Sequence, residues 1–465
     1  MYLTQEPETP EQWIDHLSRE IQHQSAESAK YDNYYEGKHP LAFAQVKFKE
    51  AFGGLFEGQW ADNFCALVVD SVAERLGVEG FRLTEDPKAD RDAWDIWQRS
   101  GMDAESDATH TDVLVESRAF VHVWADADGY PVLTPYSAHE AAVAYVPGRR
   151  KLRRMGLTRQ VDEWGTEHVA LMTPKSVYTT TRPQGSEKWA DGKLAPNPLG
   201  VVPIVPINNR PRLRGEPMSE LHRIIPLQNA VNKVMMDALV ASEMGSFPMR
   251  WVTGLELDEV DGRKEPPPFK VALDKMLHSE DPNTKFGQFE TVDLGNYVRL
   301  IDALTTHIAS VSRIPTHYFL LQAGQPPSGE SIKSAEAGLV AKVVQRQRCF
   351  GEAWEEVIRL AFAVLKDPRK DAFRAEVIWR DPEYRTEGEH IDALMKLKSL
   401  GVPDRQLQED AGYSPGQIER FPELRDEEAR EAVERAKRFG LTPIAGVHED
   451  QDDEDGRADQ DREAA

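Results

Sequence analysis

The sequence predicts an α+β protein dominated by helices, and three observations carry that prediction. Apolar residues recur at helical spacing from Ile332 through Ala335, Leu339, Val343, Phe350, Trp354, Val357, Ile358 and Ala361 to Leu365, with no proline between them. A helix there would be about 50 Å long at ~1.5 Å per residue, against an average of about 11–12 residues. The stretch from Arg118 to about Pro206 is patterned as short strands separated by turns. Two further helical patterns, from Ser219 and from Asn296, flank a segment rich in Pro, Gly and Asp. Lys333, Glu336, Lys342, Arg346, Arg348, Glu352, Glu355 and Glu356 exclude a membrane span for the long helix. It reads as a strut headed by the loop Pro326-Pro327-Ser328-Gly329-Glu330, a mechanical part more than a catalytic pocket.

The elements follow in order. Pro10 to Tyr35 reads as an amphipathic helix carrying Trp13, Ile14, Leu17 and Ile21, and Tyr31 to Pro40 as a compact aromatic turn. A second helix covers Asn63 to Leu76, with Phe64, Leu67, Val68 and Val72 inward and Gly77 as its stop. A third covers Lys88 to Ser100, with Trp94 and Trp97 on one side. Phe120–Trp124 and Val132-Leu133 flank the turn Asp126-Ala127-Asp128-Gly129 as a hairpin. Strands follow near Ala141–Val146, Leu152–Gln160, His168–Met172 and Ser176–Thr181, and Pro203 and Pro206 are expected to end the sheet. Ser219 is an N-cap for the next helix, which Pro226 should kink or delay and which stops before Phe247-Pro248. Helix resumes from Asn296 to Ser312, and the two helices are expected to pair antiparallel with the insert at their tip. Arg374–Trp379 reads as a returning strand. The capping box Thr386-x-x-Glu389 starts a helix to Gly401, and Asp404 to Phe439 is helical again.

Composition sets the outer bounds. The chain has 465 residues and 40% hydrophobic content, room for about two to four domains with at least one real core. Cys65 and Cys349 lack paired spacing, which argues against a disulfide framework or zinc site and fits a reducing compartment. No apolar run is long enough to span a bilayer, and the N-terminus lacks the pattern of a signal peptide. The net charge of −23 disfavours tight nucleic-acid binding, though an acidic wall suits a surface that DNA slides past. Part of that charge lies in His448–Asp455, expected to be a disordered, solvated tail.

Motifs of catalysis are missing from the sequence. There is no phosphate-binding G-x-x-x-x-G-K-[ST], no G-x-S-x-G, no H-E-x-x-H and no G-x-G-x-x-G. Asp126-x-Asp128-Gly129 opens like a calcium loop but lacks its distal glutamate, so a hairpin turn is the better reading. His110, His122 and His139 could meet on one sheet surface, but core histidines are favoured. Leu407 to Ile418 has helix-turn-helix character; its second helix offers Arg420 beside Glu419 and Glu423, a poor polarity for a major groove, so helical packing is favoured.

Several segments, in order, carry a resemblance. They are Tyr31–Leu41 (YDNYYEGKHPL), Asp62–Asp70 (DNFCALVVD), Glu74–Phe81 (ERLGVEGF), Asn197–Pro203 (NPLGVVP) with Asn208-Asn209-Arg210, Gly215–Leu221 (GEPMSEL) and Pro327–Ser331 (PSGES). Together they resemble the portal proteins of tailed bacteriophages, specifically the SPP1 gp6-like siphophage portals, over nearly the whole chain. The resemblance implies the phage portal fold: a mixed α/β wing, helical stem, small clip and helical crown. Residues 1–217 and 367–402 would be wing, 218–247 and 296–312 the stem helices and 248–295 the clip. Residues 313–330 would form the tunnel loop, 331–366 the helix joining it to the wing, 403–440 the crown and 441–465 an acidic disordered tail.

The same resemblance implies a ring of twelve subunits at one capsid vertex, through which double-stranded DNA is packaged and ejected. Twelve helices about 10 Å apart close a circle about 38 Å across between axes. Removing one helix diameter of about 10 Å leaves about 28 Å, room for a duplex that is not gripped. Tyr318, Phe319, Leu320, Leu321 and Gln322 would lie near the tunnel-loop tip, with Lys333 close by. Lys233, Arg299, His307 and Arg313 are the stem candidates for phosphate contact, with intersubunit salt bridges as the alternative. Implied partners are further copies of the chain, the terminase large subunit, a head–tail adaptor, and the major capsid and scaffold proteins, with no membrane, cofactor, metal or enzyme activity. The location implied is the virion, after assembly in the host bacterial cytoplasm. The rival readings are another structural protein of the phage head, a helix-turn-helix DNA-binding protein, and a hydrolase on the Arg118–Pro206 sheet.

Overall fold

In a computed structural model, residues 7–38, 62–83, 89–186, 188–246, 250–254, 259–260, 263–264, 282–288, 293–319, 329–383, 387–413 and 415–438 are described. The chain is a mixed helix and strand protein. Its first helix, α1 (Pro10–Tyr35), starts at a capping box: Thr9 accepts from the Gln12 backbone while the Gln12 side chain returns to Thr9. Its buried Trp13, Ile14, Leu17 and Ile21 lie one face apart and pack on Ala142, Leu157, Val169 and Leu171 of a sheet. Helix α2 (Phe64–Ala73) is capped by Asn63, which also donates to the Tyr35 carbonyl at 2.7 Å. Strand β1 (Val78–Arg82) leads to α3 (Arg91–Arg99), capped by Asp90, and α4 (Met102–Glu116).

Helix α4 is an element that the sequence pattern did not announce. Its buried face mixes Met102, Val113 and Leu114 with Ser106, Thr109 and His110, so no apolar stripe marks it. Thr109 solves its burial by donating to the Glu105 carbonyl at 2.6 Å.

The strands β2 (Arg118–Ala125), β3 (Pro131–Ser137), β4 (Ala141–Val146), β5 (Arg149–Val161), β6 (Glu167–Met172), β7 (Ser176–Arg182), β8 (Lys193–Pro196) and β9 (Ile204–Asn208) make two antiparallel sheets. One has the order β3-β2-β9 and the other is the meander β4-β5-β6-β7-β8. Phe120, Ala141, Met172, Val177, Val202 and Ile204 fill the space between them. The approach is close at Gly156, where an added Cβ would stand 2.7 Å from Val202 Cγ1 and 2.8 Å from Ile204 Cδ1. Pro203 and Pro206 do not end the sheet: β9 runs through Pro206, opposite Phe120. A proline is tolerated there because β9 is an edge strand and needs no donor on its open side.

A 3-10 turn (Glu220–Arg223), capped by Ser219, precedes α5 (Ile225–Ser246). Ser219 and Pro226 thus act in sequence: the serine caps the turn, and the proline sits in the first turn of the α-helix proper. Between α5 and α6 (Gly295–Ser312), β10 (Arg250–Thr253) pairs antiparallel with β13 (Lys285–Gln288), and β11 (Glu259–Val260) with β12 (Arg263–Lys264). The end of α5 and the start of α6 are therefore joined by a strand pair. At the opposite end Ile224, just ahead of α5, and Val311 and Ser312 of α6 line one cavity, so the helices run antiparallel.

Helix α7 (Gly329–Val364) is one uninterrupted element of 36 residues. Its second half is no free strut: Phe350, Trp354, Val357, Ile358, Ala361 and Phe362 are all fully buried. They meet Trp97, Phe81, Val121 and Leu114, making α7 the axis of the main core. After it β14 (Glu376–Trp379) pairs antiparallel with β1. Helices α8 (Glu387–Ser399), α9 (Asp404–Asp410) and α10 (Pro415–Arg438) complete the described chain. The Thr386 capping position lies outside the described residues, as does the tail 441–465.

Candidate functional site

Arg313, Tyr318 and Phe319 lie at the joint where the end of α6, the following 3-10 turn (Thr316–Tyr318) and the first part of α7 meet. Tyr318 and Phe319 sit at the root of the 313–330 segment, in the 3-10 turn that follows α6 and at its C-cap. The Tyr318 hydroxyl accepts from Arg75 Nη2 at 2.7 Å and donates to Glu336 Oε1 at 3.2 Å, while Arg75 Nη1 reaches the Pro382 carbonyl at 2.8 Å. Burial pushes the phenol pKa up. Phe319 leans on Phe64 with ring centroids 5.7 Å apart. These contacts fasten the root to α2 and α7. Leu320, Leu321 and Gln322 lie outside the described residues. Lys333 is exposed on the first turns of α7.

The stem candidates lie at different levels of α5 and α6. Lys233 is half-buried on α5 and ion-paired with Asp237 one turn along. Arg299 is exposed near the start of α6, donating to Asn296 Oδ1 at 2.7 Å. His307 is exposed farther along α6, and Arg313 ends the helix in a left-handed conformation with φ 60°. At about 100° per residue, positions 299 and 307 lie about 80° apart around α6, and Arg313 caps its end.

Arg313 opens onto a cavity of about 350 Å³ that it lines with Arg210, Arg212, Glu220, Arg223, Lys342 and Arg346. The fully buried Glu220 is its one carboxylate among the described lining residues. Lys342 Nζ donates to Glu220 Oε2 at 2.9 Å; Arg346 Nη2 and Asn209 Nδ2 donate to Oε1, the latter at 3.2 Å. Burial alone would raise the Glu220 pKa, but Lys342 and Arg346 overcome it and hold the carboxyl down to about 2. Burial lowers the Lys342 pKa, against the pull of Glu220. This joint went unread in the sequence, though a signal existed. Lys342 and Arg346 fall on the same helical stripe as Leu339, Val343 and Phe350, and charges on an apolar stripe ask for a buried partner.

The three histidines do not meet on one sheet surface. His110 is a core histidine, stacked on Phe350 and accepting from Trp354 Nε1 at 2.9 Å, and burial lowers its pKa to about 3. Burial likewise lowers His122, on β2, to about 4. His139 Nε2 lies 3.1 Å from Asp32 and 3.2 Å from Glu116, whose carboxylates raise its pKa to about 10. Asp126 closes the β2–β3 turn, accepting from the backbones of Asp128 at 2.9 Å and Tyr130 at 2.8 Å, as a hairpin aspartate does. In the 407–418 stretch α9 ends at Asp410 and α10 begins at Pro415; Glu409 is buried against Arg82 at 2.7 Å and Glu419 lies 3.4 Å from Arg91. It is a packing element of the body.

Residues 14–411 match the family model of phage portal proteins of the SPP1 Gp6-like type, and the chain belongs to that family. It is 31% identical over 390 residues to the portal protein of Mycobacterium phage L5, a match covering 78% of each chain. The portal protein of Mycobacterium phage D29 is 31% identical over 386 residues, again covering 78% of each. Among solved structures, the chain is similar to one in the neck of the empty gene transfer agent particle computed with C6 symmetry. There the TM-score is 0.47 and the identity 12%, over 80% of this chain and 95% of that one. A chain in the virion of the native gene transfer agent particle gives 0.45 and 12%, over 81% and 96%.

Proposed function

We propose that this portal-family chain assembles into a twelve-membered ring at one capsid vertex and conducts double-stranded DNA into and out of the head. The observation that carries this reading is the chain order of a helix pair with a strand-paired insert, a short segment and then a 36-residue helix rooted in the core. In this proposal residues 1–217 and 367–402 are the wing, α5 and α6 the stem, 248–295 the clip, 313–330 the tunnel loop and 403–440 the crown. Self-association is supported by α6, where Val298 is 57% exposed, Leu300 48% and Val311 45%. Large apolar side chains at successive levels of one helix need a cover, and a neighbouring subunit supplies it.

The ring needs no affinity for sequence, because any DNA must pass. It acts as a conduit and docking platform rather than an enzyme, with packaging energy supplied by a terminase. The insert between the stem helices contacts the terminase large subunit and later a head–tail adaptor; the wing contacts capsid and scaffold proteins. Assembly takes place in the host cytoplasm and the product resides in the virion. Negative-stain electron microscopy of the purified chain tests this. Rings with a central channel wide enough for a duplex are expected. A compact dimer with turnover or sequence-specific DNA binding would overturn the reading.

A further inference from the structure

We propose that the arginine-lined cavity at the foot of α5 and α6 is a socket for carboxylate side chains of an adjoining copy of this chain. The inference rests on the ring reading and adds which surface locks one subunit to the next.

The charge count comes first. Five arginines and one lysine face the cavity against Glu220 alone among its described lining residues. Glu220 is already committed: Arg346 and Asn209 hold Oε1, Lys342 holds Oε2, and Arg210 Nη1 stays 3.9 Å away. Arg346 Nε is buried with no hydrogen-bond acceptor among the described residues. A guanidinium N–H out of water without an acceptor costs about 1–3 kcal/mol, so the joint is incomplete in a single subunit. Burial lowers the Arg210 pKa, and the like charges of Arg346, Arg223 and Arg313 oppose what Glu220 restores.

Backbone geometry agrees. Four non-glycine residues among those described have positive φ, and two of them are Arg210 at 48° and Arg313 at 60° on this cavity. Such conformations for bulky residues persist only where the surroundings enforce them. Arginine forks suit planar oxyanions, which they grip with two parallel hydrogen bonds.

The choice of occupant follows from charge and duty. The chain carries 79 acidic against 56 basic residues, so this recess is a cationic exception on an acidic molecule. Another copy offers carboxylates on its remaining surface, and a ring interface joins two different faces of the same chain. The half-exposed Val311 on the same cavity continues into the apolar α6 surface. A phosphate of passing DNA fits less well: a recess with several arginines would hold it, while a conduit must let it go.

The test uses the full-length chain with Arg212→Glu and Arg223→Glu together. Both side chains are exposed, so the Lys342–Glu220–Arg346 joint stays intact. Arg212→Ala with Arg223→Ala, which removes the charges without reversing them, is the second variant, in case the first folds poorly by circular dichroism. Native mass spectrometry reads assembly, and fluorescence anisotropy with a 30-base-pair duplex reads DNA binding. The inference expects at least tenfold weaker assembly, unchanged duplex binding, and wild-type assembly that weakens with salt. Normal assembly of both variants overturns the inference while the ring stands. Normal assembly with lost duplex binding makes the cavity a phosphate site instead. A wild-type chain that does not associate at any concentration tested removes the ring reading and this inference together.

Discussion

The second half of α7 and the whole of α6 are both long amphipathic helices, yet they meet opposite fates. From Phe350 to Phe362 every large apolar side chain of α7 is closed off by the subunit's own core. On α6 the buried side is narrow, with Thr305, Ile308, Ala309 and Ser312, while Val298, Leu300 and Val311 stand in solvent. One end of the molecule is finished by its own chain; the other is left for something else to finish. In the proposed ring, that division separates a self-contained core from a surface completed on assembly.

The sharpest way to break the contrast is at the core. Trp354→Ala should cost about 3–5 kcal/mol, by cavity formation and by leaving His110 without its donor, read as a fall in urea midpoint. Glu220→Gln should cost about 3 kcal/mol, because Lys342 and Arg346 would keep buried charge without a counter-ion. This joint also carries a pH signature. The carboxyl lies near 2 in the folded chain against an ordinary 4.5, so its contribution is full above about 4.5 and lost as pH falls through about 2. In acid titrations followed by circular dichroism, Glu220→Gln should remove that component of the decline.

Smaller effects sharpen the comparison. Gly156→Val should cost about 1–3 kcal/mol, since β5 has no room for a side chain against Val202 and Ile204; thermal melts report it. Tyr318→Phe removes the hydroxyl between Arg75 and Glu336 and should cost about 1 kcal/mol. Its expected mark is local: faster hydrogen exchange at residues 313–319, with exchange in the second half of α7 unchanged. Val298→Ser with Leu300→Ser should change subunit stability by no more than about 0.5 kcal/mol while weakening self-association. Loss of subunit stability in that variant would mean α6 is finished by its own chain after all.

What could be read beforehand followed periodicity and capping. Helices α1 and α7 announced themselves by unbroken apolar stripes, and Ser219 with Pro226 marked a delayed helix start that the structure resolves into a turn and a helix. Helix α4 was not legible because His110, Ser106 and Thr109 occupy its buried face, with His110 partnered far along the chain and Thr109 one turn back. Strand β9 was hidden by Pro206, which only an edge position permits. At the site, the helix pair and its insert were visible in the pattern. The Glu220 joint was not, since its partner Arg346 lies 126 residues along the chain and only the fold brings them together. The contacts of Tyr318 and Phe319 were not legible either, because nothing in their local sequence points to Arg75 and Phe64.

Mass measurement of the full-length chain under native conditions tests the central claim most directly. The account predicts a dominant assembly at about twelve times the 52.5 kDa subunit, dissociating as a unit with rising salt. A stable dimer that grows no further with concentration would contradict it.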